Sequence, residues 1–175
     1  MRVFIALELP EPFVDDLAAM ARQLAVHVAG RYMKRDTYHV TLAFLGEIDE
    51  GTLRAALDAV DEACAGAGPI PLRASGLGRF GAPSDATLWL GLDPVGELTR
   101  LAEGVRERLG SHGVPFDKKA FRPHITLARR ARIAGRPLPA LAFPCPDEAS
   151  RVTVFRSILD SSGATYKPLY TVELA

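Results

Sequence analysis

The sequence predicts an α+β fold with antiparallel sheets, and three observations favour it. Of the 175 residues, 48% are hydrophobic and 24% are charged, which is typical of one compact domain with a buried core. Three segments repeat apolar residues every three or four positions, and seven shorter ones are apolar or alternating. The helical and strand segments interleave along the chain, and no low-complexity linker divides it. We therefore treat residues 1–175 as a single domain.

The three helices follow from the spacing of their apolar side chains. They are predicted over residues 13–28, 53–64 and 95–109. The third has the clearest start, because Asp93 is a plausible N-cap and Pro94 suits the first helical position.

The strands are the short apolar or alternating runs between and after these helices. They are predicted at residues 2–9, 39–45, 71–76, 87–92, 124–128, 151–159 and 166–174. Glycine, proline and polar residues predict loops at 76–83, 111–115, 135–139 and 161–164.

Cysteine usage and hydropathy indicate the compartment. The two cysteines, Cys64 and Cys145, form no CxxC pair, so a disulfide framework or a cysteine-rich zinc site is not expected. No apolar run approaches the roughly 18 residues of a membrane span, and the N-terminal run contains Glu8 without a cleavage site. We expect a cytoplasmic monomer that has no membrane partner.

The charges balance overall but cluster locally. There are 21 basic and 21 acidic residues, so net charge argues neither for nor against nucleic acid. Between Asp117 and Arg136 the chain is strongly basic, and a smaller cluster lies at residues 31–35. A basic run alone more often marks a solvated face. The basic residues of the larger cluster are Lys118, Lys119, Arg122, Arg129, Arg130, Arg132 and Arg136.

A tetrad repeats across the two halves of the chain. His-Val-Thr-Leu at 39–42 recurs as His-Ile-Thr-Leu at 124–127, and such a tetrad is expected by chance roughly once per 10⁴ positions. Side chains alternate along a strand, so His39 and Thr41 share one face, while the neighbouring aliphatic residues and Phe44 are predicted on the other. Two such strands facing each other would surround one small volume with two imidazoles and two hydroxyls.

This arrangement suits chemistry at phosphorus. One histidine can deprotonate a nucleophile while the other protonates the leaving oxygen, and threonine hydroxyls can donate to phosphate oxygens. The alternation of side chains along the strand places Arg122 on the same face as His124. The same alternation places Arg130, rather than Arg129, on that face. A metal site is not expected, because the tetrads lack acidic residues and HxH or HExxH spacing. We expect no metal and no other cofactor.

On these motifs the chain resembles the two-histidine (2H) phosphoesterase superfamily, and within it the RNA 2′,3′-cyclic phosphodiesterases, also called 2′-5′ RNA ligases. The resemblance covers nearly the whole chain. It is carried by RVFIALELP at 2–10, HVTLAFLG at 39–46, SGLGRF at 75–80, LWLG at 88–91, FRPHITLAR at 121–129 and YKPL at 166–169.

The resemblance implies a bilobal fold with two antiparallel sheets facing a central cleft and helices outside. It also implies metal-independent hydrolysis of the 2′,3′-cyclic phosphate ends of RNA or nucleotides to 2′-phosphomonoesters, and a ligase activity that joins an RNA 5′-hydroxyl to the 2′ oxygen. Motif position makes His39 the general acid and His124 the general base, with Thr41 and Thr126 holding phosphate oxygens. Where relatives often carry a Trp-Val-Arg-Pro-like stretch, this chain places Lys34, which keeps a cation without the bidentate contact of arginine.

Aromatic residues offer further candidates, and other functions stay open. Phe80 could stack on a base or simply pack within its loop, Phe121 offers the same choice, and Trp89 is expected in the core. His27 and His112 are expected to be structural or exposed. The alternative functions are a 2′-5′ phosphodiesterase, a hydrolase of another cyclic phosphate, and a non-catalytic module that binds RNA ends.

Overall fold

The computed structural model describes residues 1–133, 135 and 137–175. Within these residues the chain forms ten strands, three α-helices and one 3₁₀ turn at Arg35–Thr37. The helices are α1 (Glu11–His27), α2 (Glu50–Cys64) and α3 (Gly96–Ser111). The strands are β1 (Arg2–Glu8), β2 (Ala29–Tyr32), β3 (His39–Glu47), β4 (Ile70–Leu72), β5 (Ala74–Phe80), β6 (Ala86–Leu92), β7 (His124–Arg132), β8 (Asp147–Ala149), β9 (Arg151–Asp160) and β10 (Gly163–Glu173).

Two four-stranded sheets organise the molecule, and all their strand pairs are antiparallel. The first sheet has the order β10-β9-β1-β3 and the second has the order β2-β7-β6-β5. Strands β4 and β8 form a separate two-stranded ladder. This arrangement confirms the predicted α+β class with antiparallel sheets.

The helices cover the sheets through the apolar faces that their periodicity predicts. Leu17 and Leu24 of α1, Val60 of α2, and Leu98 and Leu109 of α3 are all fully buried. Helix α1 contacts β2, α3 packs against β3 and α2, and α2 also contacts β10. No helix in the described part of the chain has the length and apolar content needed to cross a bilayer.

The start of α3 differs from the prediction. The helix begins at Gly96 with Val95 as its N-cap, so Asp93 is not the cap and Pro94 is not helical. The backbone N–H of Asp93 donates to the carbonyl of Arg73 over 2.8 Å, which holds this segment extended beside the start of β5. The local capping signal therefore does not set the start of this helix.

Several strand boundaries also differ. The loop predicted at 76–83 is largely strand, since β5 continues to Phe80, and the strand predicted at 71–76 divides into β4 and β5 around Arg73. Strands β2 and β8 were not predicted, because both are short and lack an apolar pattern. The turn between β9 and β10 is shorter than predicted. Of the predicted loop at 135–139, the described residues have no regular structure, and Arg136 lies outside the described residues.

Candidate active site

The two repeated tetrads meet in one cleft. Strand β3 of the first sheet and β7 of the second come into contact, and His39, Thr41, His124 and Thr126 all line a cavity of about 420 Å³ between the sheets. The intervening aliphatic residues of both tetrads are fully buried on the opposite faces. The predicted division into a polar face and a core face is therefore confirmed for both tetrads.

Both histidine rings are held in the same way. The Nδ1–H of His39 donates to the carbonyl of Thr37 over 2.7 Å, and that of His124 donates to the carbonyl of Arg122 over 2.6 Å. A carbonyl oxygen only accepts, so the proton of each neutral ring is assigned to Nδ1. Each Nε2 is then available for proton transfer. The Nε2 of His39 also lies 2.9 Å from the Thr41 hydroxyl.

The His39 ring lies in an aromatic recess. Its centroid is 4.9 Å from that of Phe4 and 5.4 Å from that of Tyr166, which meets it edge-on. Burial lowers the pKa of His39 from 6.5 to about 4; the hydrogen bond to Thr37 opposes this shift, and the charges of His124 and Arg129 add to it. His39 is therefore neutral at pH 7, and the charge of His124 acts on it.

Phe80 lies beside the His124 ring, and Arg122 lies beside Phe80. Phe80 meets that ring edge-on at 5.2 Å and is 39% exposed, and the guanidinium of Arg122 lies 5.8 Å from the Phe80 centroid. Neither side chain is among those that line the 420 Å³ cavity. Phe80 therefore lies beside His124 but outside that cavity, presents an accessible aromatic surface, and has Arg122 next to it.

Trp89 does not lie in the core, contrary to expectation. It pairs directly with Thr126 across β6 and β7, is only partly buried, and has its ring centroid 5.8 Å from that of His124. Its indole N–H has no hydrogen-bond partner among the described residues. A Cβ at Gly78 would overlap the Trp89 ring, which explains why a glycine occupies the middle of β5.

Each of the two tetrad strands contains a β-bulge, at the same position of the tetrad, that the sequence pattern did not reveal. In the β1–β3 pair Ala6 faces Thr41 and Ile5 faces Ala43, so the pairing passes over the tetrad leucine at position 42. The pairing of β6 with β7 passes over the leucine at position 127 in the same way. Each bulge reverses the alternation of side chains after the tetrad. Phe44 therefore lines the cleft, although strict alternation had placed it on the core face.

The same reversal corrects the prediction for Arg130. Arg129 lines the cleft, whereas Arg130 has a φ of 54° and donates to Asp85 over 2.8 Å. The register near this point shifts again, since Ala86 of β6 pairs with Ala131. Strict alternation fails here because two bulges follow each other within β7.

Lys34 is also not among the cleft-lining residues. Its carbonyl accepts hydrogen bonds from the backbone N–H and the hydroxyl of Thr37 at the 3₁₀ turn. The pKa of Asp160 is lowered mainly by hydrogen bonds from Ser162, and the charge of Lys34 adds to this shift. The side-chain charge of Lys34 therefore acts near the β9–β10 turn. The arginines that line the cleft are Arg2, Arg31 and Arg129.

The cleft-lining residues that were not predicted as site residues include these three arginines and Tyr166. Arg2 shares the strand parity of Phe4, so alternation along β1 could have indicated it. Tyr166 lies within the YKPL stretch that carries part of the resemblance. Arg31 belongs to a strand that the sequence did not predict. Within the described residues, no group of three His, Cys, Asp or Glu side chains has an arrangement suited to a metal ion.

Comparison with known proteins identifies the family. The family model of the 2′-5′ RNA ligase superfamily matches residues 10–144. The chain belongs to this superfamily. An RNA 2′,3′-cyclic phosphodiesterase of Thermus thermophilus is 32% identical over 98% of this chain and 87% of its own length. This membership confirms the resemblance inferred from the motifs.

Solved structures place the whole chain within the superfamily fold. The crystal structure of TT0787 from Thermus thermophilus superposes with a TM-score of 0.84 at 28% identity, covering 99% of this chain and 98% of that one. E. coli LigT complexed with 3′-AMP superposes with a TM-score of 0.81 at 27% identity, covering 99% and 96%. The expected 2H phosphoesterase fold, with two antiparallel sheets facing a cleft, is confirmed.

Proposed function

We propose that this chain is an RNA 2′,3′-cyclic phosphodiesterase that hydrolyses cyclic phosphate ends of RNA or nucleotides to 2′-phosphomonoesters by paired-histidine catalysis without a metal. The observation that supports it most strongly is the convergence of two His-x-Thr pairs in one cleft, each histidine held through Nδ1 by the carbonyl two residues earlier. The names of the relatives point to the same substrate class. We also propose that residues 1–175 act as one bilobal domain, since one buried core includes residues of both sheets.

The proposed reaction is an in-line displacement at phosphorus. A water molecule attacks the cyclic phosphate while Nε2 of His124 takes its proton, and the bond between phosphorus and the 3′ oxygen breaks. Nε2 of His39 delivers a proton to that departing oxygen. The products are a 2′-phosphate and a 3′-hydroxyl, and proton exchange with solvent returns both histidines to their starting states.

The acid role requires His39 to be protonated when substrate is bound. Before substrate binds, its pKa of about 4 leaves it neutral at pH 7. A phosphate anion beside the ring favours the imidazolium and so raises this pKa. Substrate binding and proton uptake by His39 are therefore coupled in this mechanism.

The remaining groups bind the substrate. The hydroxyls of Thr41 and Thr126 donate to the non-bridging oxygens, and Arg122 adds positive charge beside Phe80. Phe80 supplies a surface on which the terminal base stacks. If an RNA 5′-hydroxyl takes the place of water, the same displacement forms a 2′-5′ linkage, which would account for ligation.

Product identity tests the proposal. Purified protein is incubated in EDTA with 2′,3′-cyclic AMP, a short RNA with a cyclic end, and 2′-5′ oligoadenylate, and the products are separated by chromatography. We expect 2′-phosphates from the two cyclic substrates and no cleavage of the oligoadenylate. A 3′-phosphate product, or a requirement for added metal, would contradict the mechanism. Tight binding of cyclic ends without turnover would instead support the RNA-end-binding alternative.

A further inference from the structure

The cleft contains positively charged side chains beyond the residues of the two tetrads. Arg2 of β1, Arg31 of β2 and Arg129 of β7 all line it, and we call them the cleft arginines. They come from both sheets, so the positive charge lies on opposing walls. None of them belongs to the two tetrads.

The cleft arginines lack the carboxylate partners that other arginines have. Arg35 and Arg130 each form a salt bridge, with Asp15 and Asp85 respectively, whereas the cleft arginines form none within the described residues. The carboxylate of Glu47, which faces Arg2 across β1 and β3, instead pairs with the N-terminal amine over 3.2 Å.

Two of the cleft arginines face each other directly. Arg31 and Arg129 are a cross-strand pair in the β2–β7 ladder, and both are exposed. Like charges directly opposite each other destabilise a sheet. An anion bound between these guanidinium groups would offset their repulsion, so the pair is suited to a ligand that carries negative charge.

The third cleft arginine approaches the same region from the first sheet. The guanidinium of Arg2 lies 4.9 Å from the centroid of Phe44, which restricts its position. Burial raises the pKa of Tyr166, and the charges of Arg129 and Arg2 both oppose that rise. Arg2 and Arg129 therefore lie within electrostatic range of one hydroxyl in the cleft.

Arg129 lies farther along its strand than the tetrad threonine. Three residues separate it from Thr126, with the bulge at Leu127 between them, and Arg31 belongs to a strand that carries no tetrad. One cleft can therefore hold a phosphate at the two threonines and a second anionic group between Arg31 and Arg129. The arginine pair is therefore available to a second anionic group of the same ligand.

We propose that the cleft arginines form a second phosphate subsite, which binds the phosphodiester on the 5′ side of the terminal nucleotide. This inference rests on the proposed function and narrows its substrate class. It makes an oligonucleotide with a cyclic end a better substrate than a cyclic mononucleotide, which lacks that phosphodiester.

The test compares three substrates: 2′,3′-cyclic AMP, the dinucleotide ApA with a 2′,3′-cyclic phosphate end, and the same dinucleotide with an uncharged methylphosphonate internal linkage. We expect kcat/KM for the charged dinucleotide to exceed that of the other two roughly 10- to 100-fold, the range for a charge-assisted contact. Arg31→Gln should remove most of this preference. The control is Arg54→Gln on the exposed face of α2, which should change the ratio of kcat/KM between the two dinucleotides less than Arg31→Gln does.

The outcomes separate the two proposals. If the wild type hydrolyses the charged and uncharged dinucleotides equally well, or if Arg31→Gln leaves their ratio unchanged, the subsite is overturned and the proposed function stands. If the wild type hydrolyses none of the three substrates, both proposals fail. Arg31 is the preferred position for substitution because Arg129 also influences the pKa of His39.

Discussion

Leu42 and Leu127 hold equivalent positions in the two tetrad strands, and each is passed over in the cross-strand pairing. The backbone carbonyl of each leucine accepts a hydrogen bond from a residue outside the two paired strands. Arg106 Nε donates to the carbonyl of Leu42 over 3.0 Å, and the backbone N–H of Met33 donates to that of Leu127 over 2.8 Å. The two bulges are thus held by tertiary contacts, and they set the direction of the residues that follow each tetrad.

Arg106 is predicted to be a positioning residue for both tetrads. Its guanidinium also donates to the carbonyl of Lys119 over 2.7 Å, in the loop that leads to His124. We expect Arg106→Gln to lower kcat roughly tenfold with little change in KM, since about 1–2 kcal/mol of hydrogen bonding is lost. Steady-state kinetics with 2′,3′-cyclic AMP measures kcat and KM separately.

The matched control for Arg106 is Arg100→Gln, which removes an exposed arginine from the same helix. Arg106→Lys should recover part of kcat, because a lysine can reach only one of the two carbonyls. If Arg106→Gln retains wild-type kcat and the NMR signals of both cleft histidines are unshifted, the positioning role is excluded.

The two cleft histidines are predicted to be individually essential for turnover. We expect His39→Gln and His124→Gln each to reduce kcat by roughly 10²- to 10⁴-fold, because each removes one proton-transfer group. The double variant should lose little more than the worse single variant, since the pair acts as a unit. Rates are measured with 2′,3′-cyclic AMP, circular dichroism checks the fold, and His27→Gln is the control. Near-normal turnover in either single variant would refute paired catalysis.

The low pKa of His39 predicts a stability that depends on pH. The unfolded chain binds a proton at this site near pH 6.5, whereas the folded chain does so only near pH 4. Between these values the unfolded state holds more protons, so the free energy of unfolding falls as pH decreases from 6.5 to 4. The His39 contribution is of the order of 1–3 kcal/mol. Urea denaturation of wild type and His39→Gln measures it, and the wild type should show the steeper loss.

Product binding is predicted to raise the pKa of His39. The 2′-phosphate of 2′-AMP places negative charge beside the ring, which stabilises the imidazolium. An NMR titration of the histidine side chains with and without saturating 2′-AMP follows the change. An unchanged His39 pKa, accompanied by a rise for His124, would exchange the acid and base roles of the two histidines.

Phe80 is predicted to contribute to binding through the base. Its accessible ring should stack on the terminal nucleobase, and loss of one such contact costs about 1–3 kcal/mol. We expect Phe80→Ala to raise KM for 2′,3′-cyclic AMP roughly 10- to 100-fold. Cyclic glycerol 1,2-phosphate, which has no base, should show no such increase. Equal effects on both substrates would mean that Phe80 acts through its packing on His124.

Much of the site could be predicted because its signals are local. The two tetrads need only strand alternation to place an imidazole beside a hydroxyl, and their repetition indicates that the pairs work together. The helices were predicted for the same reason, since a period of three to four residues is a property of the chain itself. The resemblance to the 2H phosphoesterases depends on the same short motifs.

Only the tertiary structure decided which further side chains face the cleft, because this depends on hydrogen bonds between residues far apart in the chain. Arg129 and Phe44 face the cleft because the strands beside them pass over a leucine, and no residue within the tetrads indicates that shift. Asp93 does not cap α3, and its N–H instead joins the segment to Arg73 at the start of β5. The sequence by itself therefore determined which side chains are proposed to provide the chemistry. Pairing between strands far apart in the chain determined which charges surround them, because a bulge depends on the register of both strands.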